Sequence, residues 1–343
     1  MPLSQSALER GNPPPRRKSC VACARAKRRC NLAHPSCSRP RAQLDAYTAE
    51  LVAPQARPTF ISYVTSQRLQ YALDQLLAAP LQMVRDNAVP WCHAQLYRDA
   101  MPRSMQDAQA CCALYIAKNR TNAASVLRII EARVADLVAT PPPDAAASPL
   151  EALARAQALL LYQLMRLFDG DVRSRAAAEQ TMPHLEAAAA ALAPITAEDP
   201  PPHEAAADSG NGCLLPLYPL AGTRAFWEAW IVRESARRTM LVTFLVVVIY
   251  RLLRSGSPVL CDKMVHGGAR FTASAHLWRA ADPVEFAVAW GQRKHFLVPN
   301  SGVGDILLEA EPDDIDSYGR IMLTALLGID EVRGWFLSKG ATL

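Results

Sequence analysis

Four of the nine cysteines in the chain fall within a short basic stretch, RKSCVACARAKRRCNLAHPSCSRPRAQ, at 17–43. The stretch contains too few apolar residues to form a hydrophobic face in which four thiols could be buried. Thiolates at this spacing can instead surround one metal ion as a tetrahedron, and zinc suits thiolate ligands without needing redox chemistry. The sequence therefore predicts a zinc site whose ligands are Cys20, Cys23, Cys30 and Cys37.

No segment typical of export or membrane insertion accompanies this stretch. The start of the chain lacks the apolar core of a secretory signal, so we expect reduced thiols and metal ligation rather than disulfides. The most apolar run, Thr239–Tyr250, is shorter than the roughly 20 residues that span a bilayer. We expect a buried core helix there and no membrane partner.

Positive charge is concentrated at the same end of the chain. Ten Lys and Arg residues and one acid, Glu9, lie in 1–41, which gives that segment a charge of +9, while the whole chain carries only +5. The remaining 302 residues are therefore mildly acidic. A basic segment attached to an acidic body favours a local site for a polyanion such as nucleic acid.

The cysteine stretch resembles the fungal zinc binuclear cluster (Zn2Cys6) DNA-binding domain, which has six ligand cysteines. Cys20, Cys23, Cys30 and Cys37 match the first four positions, and the basic run between the second and third cysteines matches as well. Pro40 occupies the fifth position, and the sixth has no counterpart. The resemblance implies two zinc ions in the complete module, but the chain as written retains ligands for one.

The resemblance also implies how the module contacts DNA. It assigns the base contact to Lys27, on a short basic helix between the second and third cysteines, and it implies CGG-type half-sites in double-stranded DNA. Arg25, Arg28 and Arg29 are assigned phosphate contacts, which position a protein without reading sequence. A nuclear localisation signal alone is the simpler interpretation of the same basic residues. Both interpretations place the protein in the nucleus.

The match to the family ends abruptly at Pro40. Gradual decay would scatter substitutions over all six ligand positions, yet the first four are intact. Two explanations stay open: a coding stretch with the last two cysteines is missing from the sequence, or the module is truncated.

The rest of the chain predicts an all-α fold, with the small Cys/Zn module followed by a large α-helical regulatory domain. Apolar residues recur at helical spacing, and no run shows sustained alternation of apolar and polar residues. Proline, serine and asparagine at the start favour disorder. The predicted segments are a disordered N-terminus at 1–16, the module at 17–41, a linker at 42–57 and the regulatory domain at 58–343.

Several boundaries within the body follow from local signals. Apolar spacing predicts an amphipathic helix within 65–84 and buried helices at Leu150–Phe168 and Arg224–Leu253. Asp282 followed by Pro283 is typical of a capped helix start. Pro183 predicts two helices or one kinked helix in the alanine-rich segment, and composition predicts a flexible loop at 197–212.

Five blocks of the body resemble the helical regulatory region of filamentous-fungal zinc-cluster proteins, many of which are encoded in secondary-metabolite gene clusters. We expect Trp227 and Trp230 to lie in the core. We expect Glu234 to form an exposed helix pair with Arg237 or Arg238, one turn away. The blocks are PWCHAQLYRDAMP, CALYIAKNRTNAASVLRIIEAR, FWEAWIVRESARRTMLVTFLVVVIYRLL, SAHLWRAADPVEFAVAW and AEPDDIDSYGRIMLTALLGIDEVRGWF.

Motifs for enzymatic chemistry are weak, so we predict that the protein is not an enzyme. PDDIDS lacks the register of a magnesium-binding DDxxD box, and acids after a proline are typical of a helix cap. Gly302-Val303-Gly304 lacks the third glycine of a nucleotide loop. Neither an HExxH nor a Gly-x-Ser-x-Gly motif occurs.

Two hypotheses remain from the sequence. The first is a DNA-binding transcription regulator, controlling a secondary-metabolite gene cluster by resemblance, whose helical body receives signals or co-regulator proteins. The second is a helical interaction protein that has lost DNA binding through truncation of the zinc cluster. A homodimer stays open, because no sustained heptad run follows the cysteines.

Overall fold

A computed structural model describes the chain over four ranges: 63–196, 215–255, 270–299 and 303–343. Several predicted segments lie outside these ranges, namely 1–16, 17–41, 42–57 and 197–212. The boundaries drawn for the module, the linker and the regulatory domain therefore stay predictions.

The described residues are mostly helical, as the sequence predicts. Two short strands and one 3₁₀ turn, Pro312–Asp314, interrupt the helices. The helices are α1 (Tyr63–Leu77), α2 (Ala79–Asp86), α3 (Arg103–Ile116), α4 (Ala123–Ala139), α5 (Pro149–Leu167), α6 (Val172–Ala190), α7 (Ala193–Thr196), α8 (Ala221–Ser255), α9 (Ala275–Arg279), α10 (Pro283–Gln292), α11 (Val303–Glu309), α12 (Ser317–Leu327) and α13 (Ile329–Ser338).

Helices α5 and α8 form the centre of the core. Every residue of α5 from Ala152 to Leu167 is buried, and α5 packs against α3, α6 and α8. Helix α8 spans 35 residues, contacts α6, α10 and the first strand, and buries Trp227 and Trp230 as predicted. No helix in the described ranges is both long and apolar enough to cross a membrane.

Two prolines have different effects on the helices that contain them. The amphipathic segment at 65–84 forms two helices, α1 and α2, and Pro80 lies in the first turn of α2, where no N–H is needed. Pro183 lies inside the single helix α6, so of the two predicted alternatives the structure has one helix and not two. Buried Met182 and Leu185 flank Pro183, and their packing offsets the lost backbone hydrogen bond.

Two antiparallel strands, β1 (Arg270–Ala273) and β2 (Phe296–Pro299), were not predicted. Each has four residues, which is too short to show sustained alternation in a sequence. Thr272 pairs with Leu297, and helices α9 and α10 lie between the strands along the chain. Strand β1 packs against α8, which places the sheet beside the charged residues of that helix.

Candidate functional site

The predicted zinc and DNA contacts cannot be located in the structure, because their residues lie outside the described ranges. Within those ranges, no group of three or more His, Cys, Asp or Glu side chains could hold a metal ion. The thiol of Cys112 is buried, and burial raises its pKa to about 12, so it stays protonated. The untested residues are Cys20, Cys23, Cys30, Cys37, Arg25, Lys27, Arg28 and Arg29.

The described part of the chain instead brings charged side chains together around Arg238 of helix α8. The Nε of Arg238 donates to Oε1 of Glu234 at 2.9 Å, and Nη1 donates to Oδ2 of Asp316 at 2.6 Å. Nη1 also donates to the carbonyl of Pro90 at 3.1 Å, and Nη2 donates to the carbonyl of Thr272 at 3.0 Å. We call Glu234, Arg238, Thr272 and Asp316 the Arg238 cluster.

Glu234 connects this cluster to strand β1. Its Oε1 accepts the backbone N–H of Thr272 at 2.8 Å, and its Oε2 accepts the Thr272 hydroxyl at 3.0 Å. Arg237 Nη1 lies 3.7 Å from the same Oε2. Two guanidinium groups therefore face the carboxylates of Glu234 and Asp316, so the buried charges balance. Burial acts to lower the pKa of Arg238, but Asp316 and Glu234 outweigh it and raise that pKa.

Aromatic rings enclose the Arg238 guanidinium. Its central carbon lies 3.7 Å from the ring centroid of Trp278 and 4.8 Å from that of Tyr318. The negative faces of aromatic rings attract a cation, most strongly where water is excluded. Tyr318 also donates its hydroxyl to the Arg238 carbonyl at 3.3 Å, which ties helix α12 to α8.

The acidic motif PDDIDS supplies one carboxylate of the cluster and caps two helical turns. Asp316 is the N-cap of α12, where its Oδ1 accepts the N–H of Gly319 at 2.8 Å while its Oδ2 binds Arg238. Asp314 accepts the N–H of Glu311 at 2.9 Å in a capping box. The prediction of a helix cap is therefore confirmed.

A second polar network joins helices α5 and α8 next to the cluster. The Tyr97 hydroxyl donates to Oε1 of Gln157 at 2.8 Å. Gln157 Nε2 lies 3.2 Å from both the Trp91 carbonyl and the Thr239 hydroxyl. Because Thr239 directly follows Arg238, this network fixes the same turn of α8 that carries the cluster.

His93 is buried beside the cluster. Its ring meets that of Trp278 edge to face, with centroids 5.0 Å apart, and its Nδ1 accepts the N–H of Gln95 at 3.1 Å. Burial and, to a smaller extent, the positive charge of Arg238 lower the pKa of His93 to about 4, while the Trp278 backbone opposes the shift. The imidazole is therefore neutral at physiological pH.

The exposed helix pair predicted for Glu234 is wrong. Glu234 and Arg238 are both 0% exposed, and Asp316 is 3% exposed. Glu234 and Arg238 do pair one helical turn apart, as predicted. Their other partners, Thr272 and Asp316, lie far away in the sequence. One signal could have shown the burial: Glu234 shares a helical stripe with Trp227 and Trp230, both of which were predicted to be core.

A substrate could not reach the Arg238 cluster, so the role of the cluster is structural. All of its charges are paired, and the rings of Trp278 and Tyr318 cover the guanidinium. A shallow groove of about 370 Å³ lies away from the cluster, between α2 and α3.

No titratable side chain lines this groove, so it offers no group for acid–base chemistry. Its lining residues are Val84, Met101, Gln106, Gln109, Ala110 and Ala113.

Four of the five resembling sequence blocks meet at Arg238. The block that begins PWCH provides Pro90, and the α8 block provides Arg238 itself. The block that begins SAHLW provides Trp278, and the block with PDDIDS provides Asp316. Four blocks that lie far apart in the sequence thus share one buried centre.

Comparison with known proteins finds one informative similarity. The chain is 30% identical over 285 residues to a protein of Penicillium aethiopicum named transcription factor gsfR2. The alignment covers 82% of this chain and 65% of that relative. No family model matches the chain, and no solved structure matches it.

Replacing Arg238 with methionine should lower the free energy of unfolding by about 3–5 kcal/mol, because the carboxylates of Glu234 and Asp316 would stay buried without their cation. Urea unfolding of the full chain measures the loss. Arg103→Ala is the matched control, since the Arg103–Asp107 pair is exposed and should contribute less than about 0.5 kcal/mol. Equal losses in the two variants would contradict a supporting role for the cluster.

The stability of the protein should decrease in acid through His93. The folded pKa lies below the usual value of about 6.5, so protonation favours the unfolded chain as pH falls from about 6.5 towards 4. The slope should approach about 1.4 kcal/mol per pH unit for this group. His93→Gln should remove that slope in urea unfolding series, whereas His184→Gln, at an exposed position, should keep it. An unchanged slope in His93→Gln would refute the assignment.

Proposed function

We propose that this chain is a sequence-specific DNA-binding transcription regulator of the fungal zinc-cluster type. The observation that carries the proposal is its similarity to a protein named a transcription factor, over 82% of the chain. The chain spans 65% of the length of that relative, so the activity of the whole protein is part of the proposal.

The zinc ion of the proposed regulator is held by Cys20, Cys23, Cys30 and Cys37. Four thiolates are a complete tetrahedral ligand set for zinc, and the residues around them offer no alternative apolar site. Bound zinc supplies folding free energy to a segment too small to form its own core. The role of the thiolates is to hold the basic helix between the second and third cysteines in a fixed orientation.

The basic residues of that helix make the DNA contacts. Lys27 donates to the acceptors of guanine in the major groove, which gives a preference for CGG-type half-sites. Arg25, Arg28 and Arg29 neutralise phosphates and position the helix. The +9 charge of 1–41 favours both DNA binding and a nuclear location.

The helical body gives the regulator a stable platform for co-regulators, and control of a secondary-metabolite gene cluster is the role that the family resemblance favours. Pro40 supports a second candidate, an interaction protein without DNA binding, because the family's fifth and sixth ligands are missing. The two candidates differ in whether the full chain binds duplex DNA.

Native mass spectrometry of the full chain should find one bound zinc ion. Four thiolates complete one site, and a second site would need two further ligands. Cys30→Ser should lose the ion, whereas Cys112→Ala should keep it, because the Cys112 thiol is buried and protonated. Two tightly held ions, or none, would overturn the proposed stoichiometry.

Variants of the basic helix should separate base reading from phosphate binding. Lys27→Ala should reduce the preference for a CGG duplex over a scrambled one by roughly 1–3 kcal/mol. Arg28→Ala should lower the affinity for both duplexes alike. It should also make the slope of log affinity against log salt concentration shallower by about 0.9. Duplex titrations at several salt concentrations measure both effects. If both variants bind DNA like the unmodified chain, this helix is not the reader, and the interaction protein becomes the better proposal.

A further inference from the structure

The Arg238 cluster closes one edge of the two-stranded sheet. The N–H of Thr272 donates to Glu234, and the carbonyl of Thr272 accepts from Arg238. In an antiparallel strand, the N–H and C=O of one residue point to the same side. Both groups of Thr272 therefore point towards α8 and away from β2, and side chains satisfy them where a third strand would otherwise lie.

The opposite edge of the sheet, at Leu297, is not paired by any other described residue. Leu297 pairs with Thr272 across the two strands, so its N–H and C=O point outward, away from β1. No hydrogen bond from another described residue reaches either group. With helix α11 in contact with β2, Leu297 still exposes 42% of its surface. Within the described part of the chain, the edge thus offers one unpaired donor, one unpaired acceptor and an accessible apolar side chain.

We propose that the outer edge of β2 binds an extended acidic segment of a partner protein by strand addition. Main-chain hydrogen bonds to an exposed edge give affinity in this mode of recognition, and side chains along the edge give specificity. The proposal concerns the helical body and does not depend on zinc or on DNA binding.

Positively charged side chains near β2 favour an acidic partner segment at this edge. Arg293 and Lys294 are exposed just before β2, and Arg270 is exposed opposite the end of β2. None of these three forms an ion pair with a described residue. A second copy of the chain would bring one positive edge against another, which disfavours pairing between copies. Pro299 lacks an N–H, so the pairing is limited to a short stretch around Leu297.

Two labelled peptides of about six residues, alternating glutamate or lysine with valine, test the proposal on the full chain. Fluorescence anisotropy should show that the glutamate peptide binds and that the lysine peptide does not. Amide hydrogen exchange should show fast exchange at Leu297 in the free protein and protection when the glutamate peptide is bound.

Substitutions at the edge separate backbone pairing from side-chain contact. Leu297→Pro removes the outward N–H and should lower the affinity for the glutamate peptide about tenfold, because a peptide carbonyl would be left without a donor. Leu297→Val keeps the N–H and should bind nearly as the unmodified chain does. Replacing Arg293 and Lys294 with glutamate should also lower the affinity for the glutamate peptide. Thermal unfolding checks that each variant is folded.

Several outcomes would overturn the proposal. One is equal binding of the two peptides or no binding of either, and another is a Leu297 amide that is already protected in the free protein. If Leu297→Pro is folded and binds unchanged, the backbone edge is not the site. If sedimentation shows association of the free chain that Leu297→Pro abolishes, the occupant is a second copy and not an acidic partner.

Discussion

One guanidinium group at the middle of helix α8 connects segments that lie far apart in the sequence. Arg238 binds Glu234 on its own helix, the Pro90 carbonyl near the start of the described body, and Asp316 at the start of α12. Removing water from these charges is costly, and only complete pairing offsets that cost. The body therefore depends on these distant segments packing together, since the loss of Arg238 or of one of its carboxylate partners disturbs the charge balance of the core.

The cluster also determines which parts of the surface remain available. By satisfying Thr272, it closes the β1 edge of the sheet, and the only unsatisfied edge among the described strands is that of β2. The proposed regulator thus divides its tasks between two parts of the chain. In this proposal, the basic, cysteine-rich segment contacts DNA, and the outer edge of β2 on the helical body binds a protein partner.

Helical periodicity predicted much of this body. The helix expected at Leu150–Phe168 is Pro149–Leu167 in the structure, and Asp282 caps α10 as predicted. What the sequence missed depends on distant residues. The burial of Glu234 requires Thr272 as a partner, and the strands are too short to show alternation. The zinc and DNA residues remain predictions, because they lie outside the described part of the chain.

Binding of the full chain to DNA, before and after zinc is removed, shows whether the protein is a zinc-dependent DNA reader. A fluorescent duplex with a CGG half-site is titrated with the protein, in parallel with a scrambled duplex of the same composition. If the zinc module reads DNA, the CGG duplex should bind more tightly, and a zinc chelator should abolish this preference while the helical content of the body is retained. Equal binding of the two duplexes, or a preference that survives loss of the metal, would contradict zinc-dependent reading of DNA.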